Sequence, residues 1–171
     1  MDYLWSPWRY RYVTQQDAPE GCVLCAKPLQ QNDEEGLILW RGTYNYVLLN
    51  LYPYTSGHLM VTPYRHIGEL GAVDEATWTE MMTLTRKAEQ ALQTAYHPDG
   101  INLGMNLGRS AGAGIADHIH MHVLPRWHAD SNFISVISET RVLPEALTDT
   151  YRKLQPLFRQ LAEPAVKSPK G

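Results

Sequence analysis

Residues 118–123 read His-Ile-His-Met-His-Val, three imidazoles alternating with three apolar side chains. Strict alternation is the signature of a β-strand, because successive side chains of a strand point to opposite faces. His118, His120 and His122 therefore share one face, and Ile119, Met121 and Val123 share the other. The imidazole face carries groups that attack, hold a proton or bind a metal near neutral pH. Three of the seven histidines fall within these five residues, which packing alone does not require. The plainer alternative is a solvated edge strand whose histidines bond polar neighbours.

The chain has 171 residues, enough for one domain with a sizeable core but not for two full ones. It is 44% hydrophobic and 19% charged, with a net charge of −3, so nothing implies general nucleic-acid binding. An anionic ligand would need a local positive site. No apolar run approaches the ~18 residues of a membrane span, and residues 1–10 lack the basic and apolar regions of a secretory signal. A cytoplasmic location is the expectation, in which Cys22 and Cys25 stay thiols. Their C-x-x-C spacing reads as metal-binding or redox-active.

Residues 1–21 are aromatic and irregular, and Trp5, Trp8, Tyr10 and Tyr12 need a core or a partner subunit to pack on. Residues 30–36 read as a polar turn. Two β-rich runs, 37–40 and 44–49, form a hairpin, and a loop over 50–57 leads to a third strand at 58–63. From residue 74 to 96 the period becomes helical: Trp78, Met81, Leu84, Ala88, Ala91, Leu92 and Ala95 make one apolar stripe. His97-Pro98-Asp99-Gly100 ends that helix. A strand at 101–106, a glycine loop and the histidine strand follow, and 132–137 adds one more strand. A second amphipathic helix runs from 144 to 162, opened by Pro144-Glu145 and interrupted by Pro156, before a frayed tail. The expected fold is α+β: a mostly antiparallel sheet with one long central helix and a C-terminal helix. The expected division is an N-terminal aromatic and C-x-x-C segment (1–35), a catalytic core (36–137), a C-terminal helical segment (138–162) and a flexible tail (163–171).

The loop before the histidine strand, Gly108-Arg109-Ser110-Ala111-Gly112-Ala113-Gly114, holds three glycines in seven residues. Small residues let backbone N–H groups approach an anion and form a nest around it. A phosphate held there would lie beside the imidazole row; a plain connecting turn is the alternative. The loop is neither a Walker loop, as no G-K-[ST] follows, nor a Rossmann fingerprint, as no βαβ unit surrounds it. An imidazole can attack phosphorus and form a phosphoramidate, splitting one displacement into two. It must be neutral to do so, with its other ring nitrogen fixed by a hydrogen bond.

The C-x-x-C pair is half of a tetrahedral zinc site, and in the absence of a second such pair histidines must complete it. Two buried thiols or a redox pair are the alternatives, although no βαβ context supports the latter. A closed four-ligand site leaves no position for substrate, so the zinc would be structural and would anchor the N-terminal segment.

The run His118-Ile119-His120-Met121-His122-Val123-Leu124 resembles the motif of the histidine triad (HIT) superfamily. Asn50, Gly57-His58, Asn106-Leu107-Gly108, Leu51-Tyr52-Pro53-Tyr54 and Pro125-Arg126-Trp127 extend the likeness to a bacterial branch of diadenosine tetraphosphate hydrolases and phosphorylases. The resemblance implies a nucleotide-processing enzyme acting on a dinucleoside polyphosphate such as diadenosine tetraphosphate. His120 would be the nucleophile on the α-phosphorus and His122 would hydrogen-bond around the phosphate. Ser110, Ala111, Gly112, Ala113 and Gly114 would give it backbone N–H groups, and Asn50 would bind ribose. His58 and Asn106 would shape the site, with Trp127 nearby. It also implies a homodimer, and a zinc held by Cys22, Cys25, His66 and His118. One departure stands out. Family hydrolases commonly carry Gln-Ser or Gln-Thr near the end of the glycine loop, whereas this chain has Ala113-Gly114, which favours inorganic phosphate over water as the second nucleophile. Three rivals remain at this point: a hydrolase of other nucleotide conjugates such as nucleoside phosphoramidates, a hydrolase whose triad binds a catalytic metal, and a non-catalytic nucleotide-binding module.

Overall fold

The computed structural model describes residues 21–128, 130 and 145–162. Its centre is a five-stranded antiparallel sheet of β1 (Ile38–Arg41), β2 (Asn45–Leu49), β3 (Leu59–Pro63), β4 (Gly100–Gly104) and β5 (Met121–Arg126), in the order β1-β2-β3-β5-β4. Short helices α1 (Val23–Ala26) and α2 (Asp33–Gly36) precede it, α3 (Glu75–Tyr96) connects β3 to β4, and α4 (Leu147–Ala162) closes the described chain.

The periodicity of α3 is what covers the sheet. Met81, Leu84, Ala88, Ala91 and Leu92 are buried and pack with Leu154 and Phe158 of α4 onto Val47, Leu49, Leu59, Val61, Met121 and Val123. Each large aliphatic side chain so buried contributes about 1.5–3 kcal/mol. The helix starts where Asp74 accepts a bond from the Thr77 N–H at 2.9 Å. It ends on His97, which takes the left-handed conformation (φ 46°) usually left to glycine.

The opposite face holds a smaller cluster of Leu24, Ile38, Tyr46, Leu48 and Met60. Tyr46 donates its hydroxyl to the Leu24 carbonyl at 2.5 Å, fastening α1 to the sheet beside the histidines.

Several expectations shift. Residues 33–36, expected within a polar turn over 30–36, form one turn of helix, because Asn32 caps it by accepting from the Glu34 N–H. The C-terminal helix begins at Leu147, not 144, and continues through Pro156. The strand foreseen over 118–123 joins the ladder only at Met121. His118 to His120 run ahead of it, held by the Ile119 N–H on the Ile67 carbonyl at 2.7 Å and by Thr62 Oγ1 donating to the Ile119 carbonyl at 2.9 Å. Alternation survives outside the ladder: Ile119 joins the helix-covered core, while His118, His120 and His122 are buried on the other face. The expected strand at 132–137, the aromatic residues Trp5 to Tyr12, Pro144 and the tail lie outside the described residues.

Gly57 sits in the left-handed region (φ 79°), and a Cβ there would come within 3.1 Å of Leu92 Cδ2 and Tyr96 Cε2. Gly57→Ala should cost about 2–4 kcal/mol through strain and overpacking, seen as a lower urea midpoint with an unchanged m-value.

Candidate active site

The catalytic candidates converge because β3 and β5 are neighbours in register. Met60 faces His122 across the ladder, and His58 immediately precedes β3. His58 Nε2 lies 2.8 Å from His122 Nδ1. His58 Nδ1 meets two donors, the Tyr54 N–H at 3.1 Å and the Asn50 amide at 3.3 Å. Those donors assign the protons along the chain. His58 Nδ1 accepts, so its Nε2–H donates to His122 Nδ1, and His122 carries its own proton on Nε2. That Nε2 is buried and has no hydrogen-bond partner among the described residues. A buried donor without a partner costs about 1–3 kcal/mol, and an acceptor supplied by a ligand would relieve it.

His120 is set by a different contact. Its Nδ1–H donates to the His118 carbonyl at 2.9 Å, leaving the Nε2 lone pair bare. The His120 and His122 rings are edge-to-face with centroids 4.8 Å apart. Burial keeps all of these rings neutral. It lowers His58 to about 3, reinforced by repulsion from His122 and His120, and His122 to about 4, reinforced by His120. His120 is lowered by burial too, against the opposing pull of the His118 carbonyl. The site thus presents a neutral nucleophilic nitrogen beside an unpartnered N–H, with no imidazolium needed at rest.

His118 looks elsewhere. Its Nε2–H donates to the Pro63 carbonyl at 2.9 Å, so Nδ1 is bare, and it lies 3.3 Å from Cys22 Sγ and 3.5 Å from Cys25 Sγ. His66 Nδ1 stands 3.4 Å from Cys25 Sγ. Ligand atoms of Cys22, Cys25, His66 and His118 all lie within 4.8 Å of one another. A tetrahedral zinc with ordinary bond lengths places sulfur and nitrogen roughly 3.5 Å apart, so these donors fit a metal. A carbonyl on the distal nitrogen is the usual second contact of a ligating histidine. With His118 turned into the cysteines, His120 and His122 lack, among the described residues, the third partner that a catalytic metal on the triad would need.

The remaining candidates are less concentrated. Asn50 holds His58 with its amide nitrogen and accepts from the Tyr52 N–H with its oxygen, so both ends already serve the protein. Asn106 is half-buried just beyond β4. In the glycine loop, Ala111, Gly112 and Ala113 turn their N–H groups onto the Gly108 and Arg109 carbonyls at 2.9–3.3 Å. That loop borders a cleft of about 900 Å³, lined also by Arg65, His66 and Asp117. Trp127 does not join the histidines: it stands edge-on to Tyr96, five residues past His122, about 16 Å along an extended chain.

Two groups at the site have roles that the sequence does not assign, although Tyr54 lies in the Leu51-Tyr52-Pro53-Tyr54 run of the family likeness. Tyr54 tilts its ring over His58 and His122, with centroids at 4.7 and 5.8 Å. The Pro63 carbonyl fixes the His118 tautomer. The first depends on how the loop before β3 folds back and the second on where β3 ends beside His118, neither of which composition encodes.

Residues 32–129 match the HIT domain. The chain belongs to the HIT family. A HIT relative from Mycobacterium tuberculosis, named AP-4-A phosphorylase, is 43% identical over 158 residues, covering 88% of this chain and 81% of that one. Another, the bis(5'-nucleosyl)-tetraphosphatase [asymmetrical] of Schizosaccharomyces pombe, is 29% identical over 93 residues, 54% of this chain and 50% of that one. Among solved structures, a Zn-bound histidine triad family protein from Mycobacterium smegmatis superimposes with a TM-score of 0.64 at 26% identity, covering 82% of this chain and 95% of that one.

Proposed function

We propose that this HIT enzyme cleaves a dinucleoside polyphosphate such as diadenosine tetraphosphate through a nucleotidyl-His120 intermediate, and that inorganic phosphate resolves the intermediate. The observation that carries the reading is the proton chain Asn50/Tyr54 to His58 to His122, which leaves a buried Nε2–H beside the bare Nε2 of His120. His120 Nε2 attacks the α-phosphorus, the bond to the bridging oxygen breaks, and ATP leaves. His122 Nε2–H donates to a phosphate oxygen as charge develops there. The His118 carbonyl bears the partial positive charge of the substituted ring through its bond with His120 Nδ1–H. In the second step a phosphate oxygen attacks the same phosphorus, the P–N bond breaks, and its electron pair returns to Nε2 with ADP as product.

The name of the M. tuberculosis relative supports phosphate as the second nucleophile, as do Ala113 and Gly114, which offer no side-chain group to orient water. Ser110 and Gly114 are the loop's proposed N–H donors to the phosphate chain, and Asn106 is proposed to line the nucleotide site. Cys22, Cys25, His66 and His118 are proposed to hold a structural zinc. We assign the chain to a homodimer joined at β4, an edge strand of the sheet on which Leu103 is half-exposed, and to the cytoplasm, where the thiol ligands stay reduced. No described helix is long and apolar enough to cross a membrane.

Turnover of diadenosine tetraphosphate with and without inorganic phosphate, products separated by chromatography, tests the reading. ADP plus ATP formed only with phosphate is expected. AMP plus ATP formed without it would assign the second step to water, and no turnover under either condition would overturn the assignment.

A further inference from the structure

We infer that the Cys22/Cys25/His66/His118 cluster is a positioning device for the nucleophile and not only a staple for the N-terminal segment. The inference rests on His120 being the nucleophile, as proposed above. The segment from His118 to His120 lies outside the sheet ladder, which begins at Met121, so strand pairing does not fix it. What fixes it is Thr62 Oγ1 of β3, which donates to the Ile119 carbonyl at 2.9 Å, together with a short set of contacts around the cluster. The fully buried His118 ring is held at both nitrogens, by the Pro63 carbonyl at 2.9 Å and by the thiols at 3.3 and 3.5 Å. The same residue's carbonyl accepts the Nδ1–H of His120 at 2.9 Å, the one contact that sets which nitrogen of His120 is bare. Next to the other histidine of the cluster, His66, the Ile67 carbonyl takes the N–H of Ile119 at 2.7 Å. Both histidine ligands thus flank the backbone bond that aligns the residue between His118 and His120.

The consequence is directional. Loss of one ligand loosens the hold on His118 Nδ1 while its Nε2 keeps the Pro63 carbonyl; the His118 carbonyl then shifts, and His120 no longer keeps Nδ1–H and Nε2 in their assigned roles. The proposed substrate donors of the glycine loop, Ser110 and Gly114, are not ligands of the cluster and stay; because His66 lines the cleft that the loop borders and His118 does not, His118→Cys gives the cleaner reading of KM. Loss of the cluster should therefore lower kcat about 10- to 100-fold, the range seen when a supporting contact of a reactive ligand is removed, while KM stays within about twofold.

The test uses the full chain bearing His66→Ala, His66→Cys or His118→Cys. Metal content, far-UV circular dichroism, the ¹⁵N–¹H correlation of the His120 ring, kcat and KM are measured for each. Expected for His66→Ala is loss of metal, a native spectrum, a lost or tautomer-mixed His120 Nδ1–H signal and the fall in kcat. His66→Cys restores four ligands and should restore both the signal and the rate. If His66→Ala does not fold, His118→Cys decides: it keeps four metal donors but replaces the ring that bridges Pro63 and the cluster, and should bind metal yet show the same change at His120. A native His120 signal and a native kcat in the folded, metal-free His66→Ala protein, or in metal-loaded His118→Cys, would overturn the inference. The ring signal is read without substrate. A failed catalytic assignment would instead appear as absent turnover in the native chain.

Discussion

His120→Ala is expected to lose nucleotidyl transfer by on the order of 10⁴-fold or more, with metal content unchanged. The loss is large because the variant removes the atom that forms the bond, not a contact that tunes it. The metal is retained because His120 contributes nothing to the cluster: its Nδ1 faces the His118 carbonyl and its Nε2 is the bare nitrogen. Substrate KM should change far less than kcat. Metal analysis, steady-state kinetics and a denaturation midpoint on the same preparation check all three expectations. Substantial turnover in a folded, metal-loaded His120→Ala protein would remove the nucleophile from the mechanism.

Acid is expected to destabilise the protein well before its carboxylates titrate. His58 is lowered to about 3 and His122 to about 4 from an ordinary value of 6.5, in both cases chiefly because burial disfavours the imidazolium. The unfolded chain binds protons first as pH falls below about 6.5, so stability declines from there until the folded-state values are reached. At pH 5 each histidine accounts for about 2 kcal/mol of lost stability, together on the order of a third of the margin of an ordinary domain. The urea midpoint should therefore fall between pH 7 and pH 5 with little change in m-value. His58→Gln removes one of the two most strongly lowered groups, beside His120, which is lowered as well, and leaves the cysteine cluster untouched, so it should recover about 2 kcal/mol of the loss at pH 5. An acid dependence identical in the variant would place the titration at the metal cluster instead.

The parts of this molecule that follow from period were legible in the sequence. The stripe from Trp78 to Ala95 gave the long helix, and the alternation through residues 118–123 placed three histidines on one face even where the ladder itself stops at Met121. Period says which way a side chain points, not what holds the backbone. The start of β5 depends on where β3 ends, and the helical turn at 33–36 depends on one capping asparagine. Long-range contacts were illegible for the same reason. Glu80 binds the N–H groups of Thr43, Tyr44 and Asn45 at 2.7–2.8 Å, and nothing in a helical glutamate announces that it anchors a hairpin some 35 residues earlier. The Cys22/Cys25/His66/His118 cluster, which could hold a metal, lay between the two cases. The C-x-x-C spacing stated that a half-site existed, and only family resemblance suggested which histidines would complete it. Asn50, expected at ribose, instead turns its amide to His58, a contact that spacing does not announce.

The most direct measurement is the stereochemical course at the α-phosphorus, followed with a dinucleoside polyphosphate made chiral there by sulfur substitution. Attack by His120 and then by the second nucleophile is two in-line displacements, each inverting the centre. Net retention is the expected result, whether phosphate or water performs the second step. Net inversion would mean that a single displacement delivers the product directly, and that His120 never carries the nucleotide.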